Sequence, residues 1–333
     1  MAEQQTFASL GKMEAIRQLF EGSGYKPFEE PLHFVPAAKS AVCTASRCFL
    51  EGVDFNLVYF PLKHLGYKSV LAATAELFAS MAHPRTLQIC LGVSAKLDYE
   101  QVKLLWSGVL SAAREYGYSR LSLDLQPSRN GLSISVTAVG ETLSLTQARR
   151  SKAKSMDLIC VSGALGAADM GFQVLEREKV RFDAGARTSD ALEQYKMLVG
   201  SYLKPELSSG VVSALEEAEI YPSYGYAVSH GLSDALLRLS RDSALGAKVY
   251  ADKLPFEGNT FSLGEEMDID PVSAAMNGGD DFRLLFTIPI LQMEKFHKNF
   301  PTFDIIGHLA LPEAGTVLVT PDGVELPVKA QGW

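Results

Sequence analysis

Four cysteines in 333 residues, none of them in a CxxC pair, exclude a disulfide framework and a zinc-finger spacing. Cys43, Cys48, Cys90 and Cys160 sit in apolar or strand-like stretches and read as reduced packing residues. Positive charge is also scarce. The 31 Lys and Arg against 39 Asp and Glu leave a net charge of −8, which argues against a nucleic-acid partner, since such domains carry a basic face. No apolar run reaches the ~18 residues of a membrane span. Met1 to Thr6 lacks the basic and apolar regions of a signal peptide. The chain is therefore expected to be cytoplasmic, with neither a membrane nor nucleic acid as partner. GxxxxGK[ST], GxSxG and HExxH are missing as well, and no solenoid repeat or low-complexity tract is evident.

What is present is an ordinary globular composition, 47% apolar and 21% charged. The length predicts two domains. Residues 8–21 place Leu10, Met13, Ile16, Leu19 and Phe20 on one helical face, ended by Gly22 and Gly24. Residues 25–40 carry Pro27, Pro31 and Pro36 and read as irregular. Ala41 to Phe49 reads as a strand, Glu51 to Phe55 as a turn, Leu62 to Met81 as a helix stopping at His83-Pro84, and Leu87 to Val93 as an alternating strand. Asp98 is a candidate N-cap for a helix closed by Gly117, and Leu132, Ile134 and Val136 alternate again. The first 145 or so residues thus read β-α-β-α-β.

The basic segment Gln147 to Lys154 is the candidate domain boundary, dividing the chain into residues 1–145 and 146–333. Beyond it, Leu158 to Ser162 reads as a strand. Gly163-Ala-Leu-Gly166 then leads into a helix to about Lys179. Residues 181–190 read as a loop, 191–203 and 211–219 as helices, and Tyr224 to Ser229 as a strand. A helix runs from His230 through Arg241, two strand–helix pairs follow, and a final hairpin turns at Pro321-Asp-Gly323.

Chemistry is sparse in this pattern. In Ala274 to Phe286 a short helix runs into Gly278-Gly279, then Asp280-Asp281, then an apolar strand. Paired acids at a strand mouth can hold Mg²⁺ or accept substrate hydrogen bonds, but a helix stop with exposed acids is the plainer account. Arg283 competes with a metal there. The strand, glycine turn and helix at Leu158 to Ala168 could cradle an anion, although tight packing also explains a Gly-x-x-Gly. His230 stands at a strand-to-helix junction, where capping or exposure is the common role. Asp124 falls inside an otherwise apolar strand, where an acid needs a partner.

The order of several blocks is more specific. Leu50-Glu-Gly-Val-Asp-Phe55, Pro61-Leu-Lys-His-Leu-Gly-Tyr-Lys68, Asp157-Leu-Ile-Cys-Val-Ser-Gly163, Leu165-Gly-Ala-Ala168, Leu203-Lys-Pro-Glu206, Asn277-Gly-Gly-Asp-Asp281 and Ala330-Gln-Gly-Trp333 resemble bacterial thiamine-monophosphate kinase. The resemblance covers nearly the whole chain apart from residues 22–46 and some loops. It implies the α+β, two-domain aminoimidazole ribonucleotide synthetase-like fold. In that fold an N-terminal sheet pairs across a dimer, and the C-terminal domain is an α/β sandwich. Residues 1–145 would carry the nucleotide site and the dimer face. The implied reaction converts ATP and thiamine monophosphate to thiamine diphosphate and ADP, with Mg²⁺ neutralising the phosphates.

This sequence departs from the family at the charges that matter most. The Gly-Asp-Asp-Ala-Ala segment falls near Val35-Pro-Ala-Ala-Lys39, without an aspartate. One metal aspartate aligns on Arg47 and the next on Glu76. The phosphate segment Gly-Gly-Asp-Thr-Thr keeps only Asp124, which with Glu76 makes the remaining candidate metal pair. Asp-x-Ser-Asp-Gly has become Ala227-Val-Ser229-His230-Gly231, without either metal acid. On the substrate side a histidine aligns on Asp54 and a glutamate on Arg283, while Asp281 and Trp333 remain. Arg150 remains for the nucleotide. Candidate phosphate contacts are therefore Arg47, Asp124, Arg150, Ser229, His230 and Gly231, and candidate substrate contacts Asp54, Asp281, Arg283 and Trp333.

No catalytic residue is assigned. The first reading is an impaired relative that binds a small phosphorylated ligand or regulates a partner, as a homodimer or a heterodimer with an active relative. The second is a working kinase using Mg²⁺ and ATP through Glu76, Asp124, Asp280 and Asp281. The third is metal-free chemistry with His230 as acid–base. Only the kinase reading requires a cofactor.

Overall fold

In the computed structural model, which describes residues 12–25, 40–185 and 191–329, the chain separates into two units. These are Met1–Leu77 with Ala82–Ser144, and Phe78–Met81 with Leu145–Trp333.

The first unit runs α1 (Lys12–Phe20), β1 (Ser40–Leu50), α2 (Leu62–Ala79), β2 (His83–Ser94), α3 (Tyr99–Glu115), β3 (Arg120–Ser128) and β4 (Ser133–Leu143). Its sheet has the order β1-β4-β2-β3, with β2 and β3 parallel and the other pairs antiparallel. Alternation explains the two faces. Leu87, Ile89 and Leu91 of β2 register with Ala138, Val136 and Ile134 of β4, and all six are buried. Asp98 caps α3 as its sequence suggests. Its carboxylate accepts from the Gln101 N–H at 2.8 Å, and the Gln101 side chain accepts from the Asp98 N–H at 2.9 Å.

Gly66 and Gly108 let α2 and α3 touch backbone to backbone. A Cβ on Gly66 would lie 2.0 Å from the Leu105 carbonyl oxygen, and one on Gly108 would lie 1.9 Å from that of Lys63. The Leu65-Gly66-Tyr67 block is thus a packing motif. The β-α-β-α-β order expected from the sequence gains a strand, because β3 forms beside β2 before β4 returns.

The second unit contains α4 (Ser144–Arg149), β5 (Leu158–Val161), α5 (Ala167–Asp183), α6 (Ala191–Gln194), α7 (Lys196–Leu203), α8 (Val211–Glu217), β6 (Gly225–Val228), α9 (Leu232–Ser243), β7 (Gly246–Tyr250), α10 (Thr260–Met267), α11 (Pro271–Asn277), β8 (Arg283–Ile288), α12 (Met293–Asn299), β9 (Asp304–Ala310), β10 (Thr316–Val319) and β11 (Glu325–Pro327). Its sheet follows β11-β10-β7-β9-β5-β8-β6, and only β10–β7 is parallel. Ile159, Val161, Val228, Val249, Leu285 and Leu309 form a core with Leu236 and Leu239 of α9 and Met276 of α11.

Met170, Val174, Leu198 and Leu263 join α5, α7 and α10 in a second cluster. The loop expected at 181–190 begins later, because α5 continues to Asp183. The helix expected over 191–203 breaks at Tyr195, whose backbone (φ −106, ψ 25) leaves the helical region and whose hydroxyl bonds to Glu266. Among the described residues no helix is long and apolar enough to cross a membrane.

Candidate functional site

In the first unit, alternation along β1 puts Arg47 opposite buried Val136, on the side where α2 lies within reach. Arg47 Nη2 stands 3.3 Å from Glu76 Oε1, with side-chain exposures of 19% and 25%. The two positions that the resemblance assigns to metal acids therefore form an ion pair. Asp54 Oδ2 accepts from the Leu50 N–H at 2.7 Å and closes the turn after β1. Asp124 is exposed, which corrects the expectation of an acid inside an apolar strand. Leu121 and Leu125 are buried, so strict alternation leaves Asp124 on the open face. There it registers with Cys90. It accepts from Gln126 Nε2 at 3.0 Å, and the Cys90 thiol donates to it at 3.9 Å.

Magnesium requires a near-octahedral set of oxygens. Glu76 is committed to a guanidinium and Asp124 to an amide, and no group of three or more His, Cys, Asp or Glu among the described residues is placed to hold a metal. These residues do not fit the ion.

In the second unit, two loops are zipped together. The Phe282 N–H donates to the Val228 carbonyl at 2.9 Å, and the Asp280 N–H to that of Ser229 at 3.0 Å. Gly231 (φ +86) opens α9, and a Cβ there would meet the Met276 carbonyl oxygen at 2.5 Å. The N-terminus of α9 has no side-chain cap. Its neighbour Ser229 is 3% exposed, and Ser229 Oγ makes no hydrogen bond among the described residues.

Asp234, in the first turn of α9, pairs with Arg238 at 3.0 Å, and Arg238 also donates to the Ala227 carbonyl at 3.0 Å. His230 is exposed beside this start. Main-chain N–H groups and a buried hydroxyl make a cradle for anionic oxygens.

The N-terminus of α5, the other anion cradle read from the sequence, is filled from within. Asp281 accepts from the N–H groups of Gly166 at 2.7 Å and Ala168 at 3.1 Å. Burial pushes its pKa up to about 7, against the pull of those two N–H groups and of Arg283. Arg283 in turn donates to the carbonyls of Ala164 at 3.4 Å and Glu206 at 3.3 Å. It ties β8 to two loops.

Arg150 donates to the Ser80 carbonyl at 2.9 Å. Trp333 and Val35 to Lys39 lie outside the described residues. Sequence reading missed Asp169, whose pKa burial raises and the charge of Asp280 raises further. Its signal was an acid between Ala168 and Met170, both fully buried.

Comparison with known proteins shows what the chain resembles. The family model "AIR synthase related protein, N-terminal domain" matches residues 32–142. The thiamine-monophosphate kinase of Aquifex aeolicus is 26% identical over 240 residues, covering 72% of this chain and 73% of that one. That of Pyrococcus horikoshii is 27% identical over 332 residues, covering 96% and 94%. The chain is thus similar to thiamine-monophosphate kinases over most of its length.

Solved structures share its fold. The crystal structure of the Aquifex aeolicus thiamine-monophosphate kinase superposes with a TM-score of 0.72 at 24% identity, covering 88% of this chain and 91% of that one. E. coli HypE, a hydrogenase maturation protein, superposes at 0.69 and 17% identity, covering 95% and 97%. A related solved structure carries AMPPCP and TMP. The thiamine-monophosphate kinase-like fold thus carries, in this chain, an ion pair and a capped helix where the resemblance led one to expect open charges.

Proposed function

We propose that this chain is a divergent member of its family, impaired as a kinase, that binds a small phosphorylated molecule without Mg²⁺ or serves as a regulatory partner. The observation that carries this reading is the Arg47–Glu76 pair at 3.3 Å. A guanidinium supplies the positive charge at a position where family members are expected to present an acid to a metal, and it consumes the adjacent carboxylate. Asp281, bonded to two backbone N–H groups, supports the same reading in the second unit. The cradle left for a phosphate is the start of α9 with Ser229, His230 and Gly231. Arg47 and Arg150 are further candidates to meet the ligand's charge. The protein is cytoplasmic and dimeric in this reading. Residues 1–145 form the dimer face, with an identical copy or an active relative as partner.

The test is a calorimetric titration of the purified protein with a non-hydrolysable ATP analogue, with and without Mg²⁺. Binding that is indifferent to the metal supports the proposal. Micromolar, Mg²⁺-dependent binding followed by formation of thiamine diphosphate would overturn it in favour of a working kinase. That second reading rests on the 27% identity to a named thiamine-monophosphate kinase across 96% of the chain.

A further inference from the structure

A separate cluster of basic groups lies on the β7–β9 part of the second sheet, on residues that the α9 cradle does not use. Lys248 of β7 and His308 of β9 are direct cross-strand partners. Two cations facing each other across a ladder destabilise it when both are charged. Tyr250, two residues along β7, places its ring 5.9 Å from that of His308 at an interplanar angle of 33°. The single 3₁₀ turn Ala251–Lys253 then folds Lys253 back, with Nζ 4.9 Å from the centre of the Tyr250 ring.

Two basic groups thus flank one aromatic ring, and a third, Lys248, lies across the ladder from His308. The compensating acid is Glu325 of β11, which pairs with Lys248. Asp252 is on the same turn and exposed. Tyr250, Lys248 and His308 are all half-buried. Burial and the charges of Lys248 and Lys253 hold the imidazole below its ordinary pKa.

We propose that Lys248, Lys253 and His308 form a second anion site in this unit, which takes a small doubly charged oxyanion of the phosphate-ester class. An anion there offsets the repulsion between the two strands and draws a proton onto His308. Anion binding and imidazole protonation are therefore linked, each strengthening the other by the same factor.

Sulfate is the probe, because it stays doubly charged across the neutral range. The His308 ring is titrated by NMR in sodium sulfate and in sodium chloride of equal ionic strength. The expected result is a His308 pKa higher in sulfate by about 0.5–1 unit, with sulfate binding several-fold tighter at pH 6 than at pH 8. Lys253→Met, which removes a surface cation and leaves the Lys248–Glu325 pair intact, should abolish most of the shift. A His308 titration curve identical in the two salts overturns the proposal, and so does a shift that survives in Lys253→Met. His230 reports the α9 cradle in the same spectra, so failure at one site is read separately from failure at the other.

Discussion

Replacing Arg47 by aspartate tests the account of the first unit most directly. In the native chain the guanidinium and the Glu76 carboxylate are 3.3 Å apart, with about a fifth and a quarter of each side chain exposed. Their gross attraction is about 5 kcal/mol at an effective dielectric near 20. Desolvation and screening cut the net value to about 1–2 kcal/mol, between the ranges for exposed and buried pairs.

Arg47→Asp removes that attraction and adds a repulsion of about 1 kcal/mol, for a total loss of about 2–3 kcal/mol. The Tm should then fall by roughly 6–9 °C, using about 3 °C per kcal/mol for a unit of this size. Millimolar Mg²⁺ should restore part of the loss in Arg47→Asp and leave the native chain unchanged. The assay is differential scanning calorimetry in matched ionic strength with Na⁺ or Mg²⁺, completed by Glu76→Gln and the double variant. A native chain that Mg²⁺ stabilises, or a coupling energy between Arg47 and Glu76 near zero, would refute the reasoning.

Other consequences follow from the second unit and from helix packing. Asp281 has its pKa raised to about 7 by burial, so the folded state holds a proton that the unfolded chain releases near the ordinary carboxylate value. Stability from this group is full below that value and is lost as pH rises toward 7, by on the order of 4 kcal/mol at most. Denaturant unfolding at pH 4.5, 6 and 8 should show the decline, and Asp281→Asn should flatten it. Asp281→Ala leaves the Gly166 and Ala168 N–H groups without their acceptor and should cost about 2–4 kcal/mol by the same assay. Gly66→Ala drives a Cβ to 2.0 Å from the Leu105 carbonyl oxygen. The helices must separate, so a loss above about 3 kcal/mol is expected, visible as a lower Tm by circular dichroism.

Much of the fold was legible because its signals are local. Asp98 and Gln101 lie three apart and cap α3 by themselves, and the alternation of β1 and β4 survives intact in the burial pattern. The glycine blocks that carried the family resemblance proved to include close approaches, at Gly66 and Gly278 above all. Asp124 lies in a strand that reads as apolar, but Leu121 and Leu125 are buried on one face and leave Asp124 exposed on the other. The capping of α5 could not be read at all. Gly166 and Asp281 are 115 positions apart, and no periodicity connects them. The Arg47–Glu76 contact was equally hidden, since the two residues lie 29 positions apart and only the β1–α2 geometry joins them.

Those two hidden contacts point the same way. A carboxylate left buried without a partner would cost several kcal/mol, so a site that loses its metal must acquire an internal counter-charge or lose its acid. In the first unit the chain holds Arg47 against Glu76. In the second, Ala227 and His230 stand where the resemblance calls for acids, and burial favours the protonated form of Asp281, which also accepts from two backbone N–H groups. After these pairings, the Ser229 hydroxyl remains a buried polar group without a protein partner among the described residues, beside a helix start that has no side-chain cap. Unsatisfied donors in that setting favour an external acceptor. Ser229→Ala should therefore weaken phosphate-ester binding while leaving the fold as stable as before, because the hydroxyl it removes contributes no internal hydrogen bond. A Ser229→Ala protein that binds such a ligand with undiminished affinity in calorimetry would remove the α9 cradle from the account.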